Sequence, residues 1–114
     1  PFRPPFSATR RIDAPRGEAA VAFEGKQGTP LTLHAESRAF GLAVNPVVRV
    51  LDKDGKQLAR GEPGKLNGDT ALAFTPPAHG VYTAAVTDLY AGGGPRHAFL
   101  LRVLSGPDYE LSVA

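Results

Sequence analysis

Cysteine and tryptophan are both absent from these 114 residues. Without cysteine there is no disulfide framework, no thiolate nucleophile and no cysteine zinc site. The compartment stays open, because a chain of this length buries roughly two-thirds of its unfolded surface and can stand without covalent staples. Any apolar run of the ~18 residues that a membrane helix needs is lacking too, so direct membrane insertion is not expected. No charged segment followed by an apolar one marks a signal at the start. The first residue is Pro1 rather than Met, so a processed or excised chain is expected and an upstream signal is compatible with it. A surplus of one charge is also missing. The net charge is +2, and Arg3, Arg10, Arg11 and Arg16 against Asp13 put +3 of basic character into the first 16 residues. The remainder carries 9 basic and 10 acidic side chains. Nucleic acid, which needs Lys and Arg clustered on the folded surface, is therefore not an expected partner.

What the chain does have is 13 glycines, 11 prolines and 42% hydrophobic residues, the composition of short elements joined by many turns in one domain. Residues 1–17, with Pro1, Pro4, Pro5 and Pro15 among four arginines, read as an extended basic linker plus a lead-in strand, ahead of a single domain over 18–114. Strands are then expected at 19–24 (Val21 and Phe23 on one face), 31–36 (Leu31, Leu33, Ala35) and 46–51, apolar on both faces and so central in its sheet. A short strand follows at 57–60. Asp69 to Asp88 reads as strand, corner, strand, because Pro76 and Pro77 stop one ladder and Tyr82, Ala84 and Val86 begin the next. Strands carrying Phe99, Leu101 and Val103, and then Tyr109, Leu111 and Val113, complete eight. Spacing of this kind with no helical period implies an all-β fold of two antiparallel sheets packed face to face, a β-sandwich.

Few residues invite chemistry. Asp52-Lys53-Asp54-Gly55 starts like a calcium loop, yet a strand follows where further oxygen ligands belong, so a hairpin turn is expected and calcium is not supported. His34, His79 and His97 lack the spacing of a zinc site. Ser7, Ser37, Ser105 and Ser112 sit in no nucleophile elbow. Gly92-Gly93-Gly94 precedes Pro95 and a strand rather than a helix, which makes it a flexible inter-strand loop rather than a phosphate cradle. Its flanks hold Tyr90, Arg96 and His97, an aromatic with two donors, and these are the expected ligand contacts. No catalytic residue, metal ligand or cofactor is assigned.

Several ordered pieces resemble the bacterial pre-peptidase C-terminal domain: Phe23 with Gln27-Gly28, the run from Asn45 to Asp52, Asp54-Gly55-Lys56 with Leu58-Ala59, Leu72 and Phe74 with Pro77, Gly80 and Tyr82, and Phe99, Leu101 and Val103. The resemblance covers about residues 19–113. It implies a jelly-roll-like sandwich from a secreted or cell-surface bacterial protein, an accessory appendage rather than an enzyme. Related collagenase-associated domains bind polymeric substrate and calcium, but Gly61-Glu62-Pro63-Gly64 stands where an acidic cluster is often seen. The tail Gly106 to Leu111 is similar to tandem forms of the module. The expected function is therefore a non-catalytic interaction module, extracellular, periplasmic or on the cell surface, binding a neighbouring domain or an extracellular polymer. The alternative is a carbohydrate-binding module, for which the missing tryptophan is a poor fit.

Overall fold

The computed structural model describes residues 1–37, 41–64 and 69–105. Eight strands are found among them: β1 (Phe6–Arg11), β2 (Ala19–Gly25), β3 (Leu31–Glu36), β4 (Pro46–Leu51), β5 (Gln57–Gly61), β6 (Thr70–Phe74), β7 (Gly80–Asp88) and β8 (Ala98–Ser105). β1 pairs with β8, β2 with β7, β3 with β6 and β4 with β5, all antiparallel. A long two-armed ribbon has this pairing, and rolling it up also sets β3 beside β8 and β4 beside β7. Two four-stranded sheets result, ordered β1-β8-β3-β6 and β2-β7-β4-β5. This is an eight-stranded jelly roll.

Alternation in the strands fills the space between the sheets. β2 turns in Ala19, Val21 and Phe23, β3 turns in Leu31, Leu33 and Ala35, and β8 turns in Phe99, Leu101 and Val103. Burying side chains such as Phe23, Leu33, Phe99 and Leu101 stabilises the fold by about 1.5–3 kcal/mol each. β4, apolar on both faces, is indeed interior, flanked by β7 and β5.

The lead-in strand expected in the proline- and arginine-rich beginning is Phe6–Arg11, which pairs with β8 along its whole length, and Ile12 after it is buried in the core. The expected strand at 109–113 lies outside the described residues.

The strand directions gather the β1–β2, β3–β4, β5–β6 and β7–β8 connections at one end of the sandwich and the β2–β3, β4–β5 and β6–β7 connections at the other. The second end is closed by aromatic packing. Tyr82 lies 5.3 Å from Phe74, edge to face, and 6.1 Å from Phe23, centroid to centroid. Its hydroxyl donates to Ala78 O at 2.6 Å and accepts from Ala78 N at 3.3 Å, tying β7 to the corner before it. This is a tyrosine corner. Gly25 is required beneath it, since a Cβ there would lie 2.9 Å from the Tyr82 ring and 2.8 Å from Pro76.

Candidate functional site

The end bearing the β1–β2, β3–β4 and β7–β8 connections is built around Asp88, the last residue of β7 and buried at 8% exposure. An aspartate ahead of a tight turn can accept from amides further along its own backbone. Here Oδ2 accepts from Tyr90 N at 3.1 Å and Gly92 N at 2.9 Å, while Oδ1 accepts from Asn45 N at 2.7 Å and Asn45 Nδ2 at 3.5 Å. Ala91 N donates to Asp88 O at 3.0 Å, closing the turn, and Leu89 N donates to Asn45 O at 2.8 Å. Burial pushes the carboxyl above its ordinary 3.8, but the amides of Asn45, Gly92 and Tyr90 and the Asn45 side chain outweigh it and hold the group below that value.

This bracing presents Leu89 and Tyr90 at the apex of the turn. Tyr90 is 75% exposed and Leu89 40%, two of the four large hydrophobic side chains that face water among the described residues. Arg96 is exposed as well, though its Nη2 donates to Gly41 O at 2.7 Å and its carbonyl accepts from Ala43 N at 3.0 Å. His97 is different. Its Nε2 lies beneath Gly92, where a Cβ would come within 2.6 Å of it. The three expected contacts thus share one end of the sandwich, with Tyr90 projecting, Arg96 tied to the neighbouring loop and His97 under the glycine loop.

The triglycine is not a slack connection. A Cβ at Gly93 would sit 2.1 Å from the backbone of Ala14, so only glycine allows the β7–β8 loop to lie on the β1–β2 loop. Gly94 N donates to Ile12 O, Ile12 N to His97 O, and Arg16 N to Ala91 O, at 2.8, 2.8 and 2.9 Å. The expectation of flexibility is corrected by this close approach. Nothing in the glycine spacing distinguishes the two cases.

Elsewhere the polar candidates are spent on architecture. Ser37 is fully buried, with its hydroxyl donating to Ala98 O at 2.7 Å and accepting from Val44 N at 3.0 Å, which leaves no hydrogen-bonded base to activate it. Asp52 Oδ1 accepts from Asp54 N and Lys56 N, both at 2.9 Å, and Gly55 takes a φ of 84°, as a hairpin turn requires. Among the described residues no three acidic or histidine side chains converge as a metal site. His34 stands on the outer face of its sheet opposite Arg102. Burial first, and then the Arg102 charge, lower its pKa below 6.5 against the opposing pull of Glu36. Arg102 Nε is 2.8 Å from Glu36 Oε1, an ion pair by distance, although its N–H is not aligned for a hydrogen bond.

No family model matches the chain, and no curated protein matches it. A solved structure does. The pre-peptidase C-terminal domain of collagenase from Bacillus anthracis superposes with a TM-score of 0.66, covering 90% of each chain at 10% sequence identity. The chain has the fold of a pre-peptidase C-terminal domain. At that identity the likeness is one of fold. Asp88 and Leu89 join the expected contacts at this tip, and an aspartate before Leu-Tyr-Ala-Gly is a readable turn signal.

Proposed function

We propose that this domain is a non-catalytic accessory module of a larger extracellular protein and that it docks on a partner protein, a neighbouring domain or an extracellular protein polymer, through the Leu89–Tyr90 tip. The observation that carries this reading is the Asp88 carboxylate, which braces a turn whose apex exposes an aromatic and an aliphatic side chain. Such anchors are effective because a rigid tyrosine loses little conformational freedom on binding. The resemblance to a domain of a collagenase supports the accessory and extracellular parts of the reading. A carbohydrate platform is less well served: grooves of 470 and 240 Å³ border Arg3, Lys26 and His79 or Asp52 and Tyr82, at the other end of the sandwich. The exposed Leu89 and Tyr90 side chains suit a concave protein surface.

The test is retention of the isolated domain on fibrillar collagen, gelatin and cellulose, with Tyr90→Ala and Leu89→Ser beside the wild type. Retention on a protein polymer that both substitutions abolish is expected. Equal retention of the variants removes the tip from the account. Hydrolysis by the isolated domain, lost on replacing one Ser, His or Asp, would overturn its non-catalytic character.

A further inference from the structure

Two residues other than glycine hold positive φ among the described residues, Arg16 at 64° and Ala91 at 59°, and they are joined by the bond from Arg16 N to Ala91 O. A left-handed conformation costs a side-chain-bearing residue about 1–2 kcal/mol, and glycine avoids the cost. Glycine stands one position further on in both loops, at Gly17 and Gly92, where close approach demands it: a Cβ would lie 2.8 Å from Ala14 O in one case and 2.6 Å from His97 Nε2 in the other. Of the two left-handed positions, one keeps an alanine, which has only a methyl group, and the other keeps an arginine. Strain retained where glycine would relieve it argues for a use of the side chain.

The arginine is also the unmatched one. Among the described residues Arg3, Arg11, Arg49, Arg60 and Arg102 face carboxylates, Arg10 donates to Thr9 O and Arg96 to Gly41 O. Among the described residues the Arg16 guanidinium has no such partner, and it is exposed. Its backbone is fixed one residue from Tyr90. An aromatic anchor with an unpaired cation beside it complements an apolar socket rimmed by an acidic side chain.

We propose that Arg16 is a recognition residue, held in a strained conformation beside the Leu89–Tyr90 tip to pair with an Asp or Glu carboxylate of the partner protein. This rests on the tip being the docking surface. The variants are Arg16→Gly, which suits the backbone and deletes the charge, Arg16→Lys, which keeps the charge, and Tyr90→Ala. The probes are an immobilised glutamate–tyrosine copolymer, poly-lysine and polygalacturonate, read at low and at physiological ionic strength.

The wild type is expected to prefer the copolymer, Arg16→Gly to bind it about tenfold more weakly, and Arg16→Lys to fall between them. Arg16→Gly should melt no lower than the wild type. Binding of the copolymer by Arg16→Gly at wild-type strength, a preference for poly-lysine, or a lowered melting temperature for Arg16→Gly would each overturn the assignment. Arginine-dependent binding to polygalacturonate in place of the copolymer would move the carboxylate to a sugar and overturn the protein partner. If Tyr90→Ala bound normally while Arg16→Gly did not, the tip reading would fail, and with it the joint surface, leaving Arg16 as a carboxylate contact without the tip.

Discussion

Replacing Asp88 by asparagine tests the site at its foundation. The carboxylate uses Oδ1 for the Asn45 amide and Oδ2 for the amides of Tyr90 and Gly92. An asparagine offers one acceptor oxygen and turns an NH2 toward donors on the other side, so at least one backbone amide is orphaned. That loss costs about 1–3 kcal/mol, and the surviving bonds fall from charge-assisted to neutral, roughly half as strong. A total near 3 kcal/mol follows, out of about 5–15 kcal/mol for a whole domain, and it lowers Tm by about 12 °C. Urea denaturation at neutral pH reads the difference directly, and faster amide exchange at Tyr90 and Gly92 localises it. Acid supplies an independent check. The folded Asp88 titrates below its ordinary 3.8, so its stabilisation is fully present above that value and is lost as pH falls through the folded value. The asparagine variant lacks that limb, and the gap to the wild type should narrow in acid. A variant within about 0.5 kcal/mol of the wild type at neutral pH, with the same acid slope, would refute the brace.

Gly93→Ala forces a Cβ to within 2.1 Å of Ala14 backbone atoms, and a loss above about 2 kcal/mol is expected in thermal melts. Gly28→Ala, also at positive φ but with nothing within 4 Å, should cost only about 1 kcal/mol. Tyr82→Phe keeps the ring contacts and loses both bonds to Ala78, lowering stability by about 1 kcal/mol with an unchanged β circular dichroism spectrum. His34 titrates below 6.5 in the folded domain, so the unfolded chain takes up its proton first. Stability falls as pH drops from that value through the folded one, and His34→Gln should flatten the curve there.

Where a strand is buried on one face, its boundaries could be read from the chain. Leu31, Leu33 and Ala35 alternate strictly, and β3 runs over Leu31–Glu36 as expected. β1 could be read as a lead-in strand but not bounded, because it is an edge strand that buries Ala8 alone among its six residues. The triglycine could be seen but not interpreted, since φ freedom and close approach call for the same residue. Tyr90 and Arg96 were accessible as polar or aromatic residues flanking a loop. Arg16 was not, because its conformation comes from a contact with a loop 75 positions later in the chain.

The two ends of the sandwich are closed by different physics, and that difference bears on where a partner docks. Aromatic rings and the Tyr82 corner seal the end formed by the β2–β3 and β6–β7 turns. The buried polar side chains among the described residues, Ser37, Thr70 and Asp88, all lie toward the other end. Thr70 donates its hydroxyl to Pro46 O, and Ser37 N donates to Asp69 Oδ1 at 2.8 Å, so directional bonds across connections fasten that end in addition to the buried Ile12 and Val44. Buried polar groups are costly unless satisfied, and these are matched to specific backbone partners. Such a network fixes loop geometry through specific donors and acceptors. It leaves Leu89 and Tyr90 free to point outward from a rigid base, and a preorganised anchor of this kind reduces the entropic cost of association.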